Sequence, residues 1–592
     1  EATEAAKKKG GKRTKFEDYY DYSESVSKVP SHRILAIRRG QSEKTLKTRI
    51  DIDTEPVVDS ARRVFELNPE SPFSDQLSLA IQEAEVRKLA PSIETDVWTE
   101  LKLEADREAV EVFASNLENL LLAPPLGGQT VIGVDPGLRT GSKCAAIDAT
   151  GRFLEAVTLF TTKSEEVKAK ARADLVALVK KHSPAAVAIG NGTGGREIEH
   201  LIRQWLREEK LEVTVVPVSE AGASVYSASE IARAEFPDLD ITVRGAISIG
   251  RRLQDPLAEL VKIEPKSIGV GQYQHDVYAT LLQSKLHNVV ESCVNRVGVE
   301  LSTASMSLLS YVSGIGTKLA QAIVIHRHQN GSFGERKDLL QVPGMGPKTF
   351  EQAAGFIRVK DSPHPLDASA VHPERYELVT QMASDAGLAL ADFVGNAGAV
   401  DTVSTERYTS DSLGKLTLKD IIAELKKPGR DPRRSFEPPK FLDGVNSLDD
   451  LKTNMEIEGV ITNVTAFGAF VDIGVHQDGL VHVSELSDRF VRDPSEVAKV
   501  GEKLRVRVLE VDLDRKRISL SAKLKKAEAP RRGDSRSGRD GAPRDDRRGQ
   551  GDHKDKGRKD RRRGGSNPGK RRGQKPKSGF SNNPFAELLK KD

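Results

Sequence analysis

A chain of 592 residues, 37% hydrophobic and 30% charged, is too long for one core, and ~150 residues per domain predicts about four. No apolar run reaches the ~18–20 residues of a membrane span and no charged-then-apolar leader opens the chain, which starts at Glu1 and so reads as a fragment or a processed form. Only Cys144 and Cys293 occur, with no CxxC pair, which argues against a disulfide framework or a zinc site and makes the reducing cytoplasm the expected compartment. The net charge of +4 is unevenly spread: residues 525–592 hold 23 Lys/Arg against 10 Asp/Glu, so the tail carries +13 and the rest of the chain −9. A basic tail on an acidic body points to a nucleic-acid partner, the plainer alternative being a solubilising tail.

In chain order, residues 1–128 read as an N-terminal helical region. It opens on the low-complexity EATEAAKKKGGKRTK, followed by the aromatic-rich KFEDYYDYSE and two short alternating stretches, ILAIRRG and LKTRIDID. Over 73–121, Leu101, Ala105, Ala109, Val112 and Leu120 fall near one face of long amphipathic helices, and Pro124-Pro125 ends the block. Residues 129–260 change period. TVIGVDPG, KCAAIDATG and RFLEAVTLF read as three adjacent strands, followed by helix 163–181, strand AAVAIG, helix REIEHLIRQWLREE and strand EVTVVPV, which is an α/β layered domain. Connecting helices over 261–300 lead to two glycine hairpins within 301–372. Residues 373–452 are a helical domain and a linker marked by KPGRDPRRSFEPPK. A five-stranded β-barrel of OB type is expected over 453–524. The Arg/Lys/Gly-rich tail 525–592 has too few large apolar residues to offset its ordering entropy and is expected to be disordered.

The barrel carries the most legible chemistry. Alternate side chains of a strand face opposite sides, so in AFGAFVDIG the residues Ala469, Val471 and Ile473 share the core parity, and Phe470 and Asp472 share the wet face. His482 lies opposite in parity to Val481 and Val483, and Arg517 opposite to Ile518 and Leu520. Phe467, Phe470, His482 and Arg517 thus form an exposed patch of rings with one cation, suited to stacking unpaired bases at ~1–3 kcal/mol per base. The alternative for Phe467 is that it closes the barrel end. GxVxxVxxFGAFVDIGxxxDGLVHVSELS followed by RISLSAK resembles the ribosomal-protein-S1-type RNA-binding domain, and the resemblance assigns Phe467, Phe470, His482, Arg517 and Asp512 to RNA binding, with Asp514 competing for the acidic position.

SGIGTKLAQAIVIHR and VPGMGPKTFEQAAGFIRV repeat a Gly-hydrophobic-Gly turn ahead of an apolar helix. Such a turn lets backbone N–H groups approach a phosphate at a helix N-terminus without reading sequence. The residues concerned are Gly314, Gly316, Lys318, Gly344, Gly346 and Lys348, and the pair resembles the tandem helix-hairpin-helix module. A purely structural connector is the alternative.

GVDPGLRTG puts Asp135 at the end of a strand, a placement that resembles the first carboxylate of RNase H-like nucleases of the YqgF and RuvC branch. Two-metal hydrolysis needs several carboxylates around divalent ions. Strand AAVAIG, however, ends in Gly190 and Asn191, leaving Glu220 and Asp255 as further acidic candidates. A lone Asp before a turn is often only a cap. The loop GNGTGGRE could cradle an anion but lacks the GK[ST] ending of a P-loop. In GVGQYQHDV, His275 and Asp276 invite a catalytic reading, with a capping role favoured.

The order of parts, together with PSHRILAIRRG, EAGASVYSASE and VGQYQHDV, resembles the bacterial transcription accessory Tex family across residues 16–524. The resemblance implies a mainly α, multidomain protein with an α/β RNase H-like domain, a helical region preceding Glu1, and an incomplete nuclease site. It implies a non-enzymatic scaffold that binds RNA, single-stranded or duplex DNA near RNA polymerase, with no cofactor or metal. Two alternatives stay open: a nuclease or junction resolvase using Asp135, Glu220 and Asp255 with Mg²⁺ or Mn²⁺, and a ribosome-associated translation factor. The terminal NPFAELLKK could form a short partner-docking helix capped by Asn583.

Overall fold

In the computed structural model, the described residues are all except 1, 4–13, 66–67, 138, 163, 410–412, 438–447, 466, 476, 492, 514–516 and 524–592. The basic tail, Asp514 and NPFAELLKK therefore lie outside the described residues.

The N-terminal region is built on helices α1 (Ser31–Ser42), α2 (Thr54–Val64), α3 (Ser74–Ala84) and α4 (Ala90–Leu121). ILAIRRG is not an alternating strand but the body of α1: Pro30 precedes the helix with extended ψ, and Ile34, Leu35 and Ile37 are buried by helical, not two-residue, periodicity. LKTRIDID is irregular apart from Leu46, which bridges Ala2. The buried face of α4 is Val110, Phe113, Leu117 and Leu121, so of the expected stripe only Ala105 is fully buried; Leu101, Ala109, Val112 and Leu120 flank it. The reason is that α4 is clasped on more than one side, by α1 and by the long helix α9 introduced below.

The α/β domain has five strands, β1 (Val131–Asp135), β2 (Ser142–Ile147), β3 (Phe153–Leu159), β4 (Ala186–Gly190) and β5 (Thr214–Val218), in the order β3-β2-β1-β4-β5. β1 pairs antiparallel with β2 and parallel with β4, and β4 is parallel to β5. Helices α5 (Glu165–His182) and α6 (Gly195–Glu208) cover one face through Leu175, Val179, Ile198 and Trp205. Helix α7 (Ile241–Gln254) lies on the other through Ala246, Ile247, Ile249 and Leu253, and α8 (Pro256–Leu260) follows. With both faces covered, the central strand β4 is apolar and buried throughout.

Helix α9 (Ala279–Val297) leads into the hairpins, whose helices are α10 (Thr317–Asn330) and α11 (Pro347–Ala354). They share one core with α1, α4 and α9. Helices α12 (Tyr376–Asp385) and α13 (Lys415–Lys426) belong to a separate core around Val379, Phe393 and Leu418. The C-terminal strands β6 (Glu456–Thr465), β7 (Gly468–Asp472), β8 (Gly479–His482), β9 (Lys503–Asp512) and β10 (Arg517–Ser521) close into a barrel in the order β8-β10-β9-β6-β7. Only the β8–β10 pair is parallel. Among the described residues no helix is long and apolar enough to cross a membrane.

Candidate nucleic-acid interface

Strand alternation places Ala469, Val471, Val481, Ile518 and Leu520 in the barrel core and turns Phe470, His482 and Arg517 outward. Phe470 stands opposite Leu480, which neighbours Ser519, two residues from Arg517, so these positions lie on one outer face. Phe467 and Phe470 are half-buried and meet edge to face, centroids 6.1 Å apart. His482 is exposed, with its Nδ1 2.9 Å from the Ser484 hydroxyl and 3.3 Å from the Ser484 backbone N–H. The strands close this tightly because residue 468 is glycine with φ +154°; a Cβ there would lie 2.2 Å from the Val481 carbonyl oxygen. Asp512 pairs with Arg517 across the β9–β10 ladder.

The expectation that Asp472 lies on a wet face is corrected. Asp472 is buried and ion-paired to Arg196 at the start of α6. That end of β7 faces the body of the protein. Asn116 of α4 donates to the Asn463 side chain (2.8 Å) and the Val464 carbonyl (2.9 Å), and Arg434 pairs with Glu502 at 2.9 Å. Parity separates the core from the outside of a barrel, but it cannot say which part of the outside another domain covers.

In the hairpins, Gly314 (φ +82°) and Gly344 (φ +91°) adopt left-handed conformations that favour glycine, while Ile315 and Met345 are buried as anchors. Gly316 and Gly346 have extended backbone, and a Cβ at either would meet nothing within 4 Å, so the space above both turns is open. The first helical bond of α10 runs from Ala320 N–H to Gly316 carbonyl, which leaves the N–H groups of 317–319 outside the helical ladder. In α11, Pro347 removes one such donor. Lys318 and Lys348 are exposed beside these turns.

The acidic candidates divide. Asp135, at the end of β1, and Glu220 approach each other: burial first, and the Glu220 charge second, push the Asp135 carboxyl up to about 6 against the pull of Lys143. Glu220 lies directly over Gly192, and its N–H is held by Asn191 at 3.1 Å, so the glycine-rich loop receives a carboxylate of the chain itself instead of standing open to an anion. Asp255 does not join them. It breaks the chain between α7 and α8, caps Ala258 N–H at 3.2 Å, and forms a two-pronged pair with Arg433 at 2.7 and 3.2 Å. On α7 the position facing Asp135 is Gly245, where a Cβ would come within 2.6 Å of the carboxylate; sequence alone did not single out this residue. Among the described residues no three His, Cys, Asp or Glu side chains are grouped to hold a metal. Asp276 receives Arg39 at 2.7 Å and joins its loop to α1, a structural role.

A pH effect follows. The Asp135 carboxyl titrates near 6 when folded and ~3.9 when unfolded, so its favourable contribution is complete below pH ~4 and is lost as the pH rises through about 6. Asp135→Asn should flatten that part of the stability curve and stabilise the protein at pH 7 by ~1 kcal/mol, after allowance for solvent screening at a half-buried site. Urea denaturation at pH 4 and pH 7 measures it, and a variant less stable than the parent at pH 7 contradicts it.

Comparison with known proteins matches the described domains in order. The chain matches family models for a Tex central region-like segment over 2–113, a Tex protein YqgF-like domain over 129–254, a helix-hairpin-helix motif over 294–358, an HHH domain over 364–433 and an S1 RNA-binding domain over 450–523. It is 48% identical to the transcriptional accessory protein Tex of Neisseria gonorrhoeae, over 86% of this chain and 68% of that one. It is 49% identical to protein YhgF of Escherichia coli (86% and 67%) and 33% identical to the human S1 RNA-binding domain-containing protein 1 (86% and 58%). With its S1 and helix-hairpin-helix nucleic-acid-binding domains in this order and near-half identity over most of its length, the chain belongs to the Tex family of transcriptional accessory proteins.

Proposed function

We propose that the protein is a non-enzymatic scaffold that holds single-stranded RNA in the cytoplasm beside the transcribing polymerase. The observation that carries the reading is the cluster of Phe467, Phe470 and the outward His482 on one barrel face, with Arg517 on the same face. Ring faces bind any unpaired base and tolerate sequence, while the open hairpin turns offer backbone N–H groups, Lys318 and Lys348 to phosphates. Together these hold a strand by several weak grips without selecting one sequence. The RNase H-like domain serves as a structural module in this reading: among the described residues no third carboxylate joins Asp135 and Glu220, since Asp255 is engaged by Arg433 and Gly245 stands where a ligand on α7 would face Asp135.

The convergence of Asp135 with Glu220 in an RNase H-like domain favours a nuclease. Incubation with labelled RNA, single-stranded DNA and four-way junctions, with Mg²⁺ or Mn²⁺, should leave every substrate intact. Cleavage that disappears in Asp135→Asn would replace the scaffold with an enzyme. Co-sedimentation with RNA polymerase rather than with ribosomal subunits is expected, and the opposite partition would favour the translation-factor alternative.

A further inference from the structure

The ring cluster of the barrel does not stop at the barrel. His32, at the start of α1, lies against Phe467 with centroids 5.1 Å apart and planes tilted 55°. The next residue, Arg33, stacks its guanidinium over the Tyr22 ring at 5.7 Å, and Tyr22 meets Tyr19 edge to face at 5.5 Å. Phe470, Phe467 and His32 thus form one run of rings and Arg33, Tyr22 and Tyr19 a second, and the two are joined through the neighbouring positions 32 and 33 of α1, so that a file of planar groups leads from the barrel onto the aromatic segment KFEDYYDYSE. The junction is held from below by Asn116, which grips β6, and by the Arg196–Asp472 pair.

We infer that this file is an extended stacking track for single-stranded RNA, in which His32, Tyr22 and Tyr19 hold the bases that run past the end of the barrel. The inference rests on the RNA-binding reading of the barrel and lengthens its footprint. The charges around the file decide how it works. Arg33 is committed to Glu24 at 3.0 Å and to the Tyr22 hydroxyl at 2.8 Å, and Glu17, Asp18 and Asp21 stand nearby in sequence. The segment therefore offers ring faces and no surplus cation, and phosphates must lie away from it. Burial, then Arg33, and more weakly His482, hold His32 below the usual imidazole range, against the pull of Glu24 and Glu108, so it presents a neutral ring. Bases, not phosphates, are what such a surface takes, and its share of the affinity should be nearly independent of salt, unlike that of the hairpins.

The test uses the full chain and two RNAs, one at the low end of the ~4–16 nucleotides an OB fold covers and one beyond the high end, titrated at salt high enough to suppress phosphate contacts. His32→Ala/Tyr22→Ala should bind the long RNA roughly fivefold or more weakly, with the short RNA unchanged. The ring-preserving pair His32→Phe/Tyr22→Phe should bind both as the parent does. Unchanged affinity for the long RNA overturns the track. So does tighter binding of either RNA, which would make His32 a cover on Phe467, and so does an equal loss on both RNAs, which would place the effect inside the barrel. Phe470→Ala/His482→Ala, run in parallel, should weaken both RNAs; if it weakens neither, the barrel reading itself fails, whatever the track variants do.

Discussion

Single-stranded RNA should bind the Phe470→Ala/His482→Ala chain at least about fivefold more weakly than the parent, with up to ~3 kcal/mol lost for each base that no longer stacks. The two residues are suited to the test because neither belongs to the barrel core. Phe470 is half-buried on the outer face of β7, and His482 is exposed at the end of β8, hydrogen-bonded to Ser484. The barrel core of Val471, Val481, Ile518 and Leu520 is untouched by either change. The salt slope of binding should stay as steep as in the parent, because phosphate contacts remain in the hairpins. Titration curves that superimpose on the parent's would remove the barrel from the function. A loss of affinity accompanied by a lowered unfolding midpoint would mean that the variant reports damage to the barrel, and Phe470→Tyr, which keeps the ring, would then separate the two causes.

Asp367→Ala should lose ~3–5 kcal/mol of stability, the largest effect expected of any single change here. Arg336 is 1% exposed and gives its guanidinium to the carbonyls of Val371 (2.8 Å), Asp367 (2.9 Å) and Ser369 (2.6 Å). Asp367, whose carboxylate lies 4.0 Å from the Arg336 Nε, accepts from the Arg336 backbone N–H at 2.8 Å, Tyr376 hydroxyl at 2.6 Å and Ser362 hydroxyl at 2.9 Å. Burial alone would raise the Asp367 carboxyl, but these donors and the Arg336 charge outweigh it and hold it below the usual range. Removing the carboxylate takes a counter-charge away from a buried cation, with Glu424 as the other acidic group acting on it, and leaves three donors without an acceptor. Hydrogen exchange across 336–376, where the hairpin module meets the next helices, should accelerate in step with the fall in the denaturation midpoint. A midpoint equal to the parent's would show that the network contributes nothing net.

The features that sequence made legible are those set by local rules. The two-residue alternation of AFGAFVDIG sorted Ala469 and Val471 from Phe470, and the glycines bounding Ile315 and Met345 marked both hairpins, because left-handed turns select glycine. Strand and helix order in the α/β domain was legible for the same reason. α1 was not, since the four-residue apolar run ILAI fits either period until its burial is known. Asp255 misled because spacing along the chain brings it near α7, while Arg433, far along the sequence, takes its carboxylate.

What sequence determined by itself was therefore which side chains each element presents: rings outward on β7 and β8, bare turns ahead of α10 and α11, and one carboxylate at the end of β1. The tertiary structure alone decided which of these meet. It set His32 on Phe467, Arg196 on Asp472, Asn116 on β6 and Glu220 in the glycine loop, partners separated by tens to hundreds of residues. Periodicity and turn chemistry act over a few residues and can be read along the chain. Contacts between distant elements depend on how whole helices and sheets pack, and that outcome is the balance of many small burial terms, none of them visible at any one position.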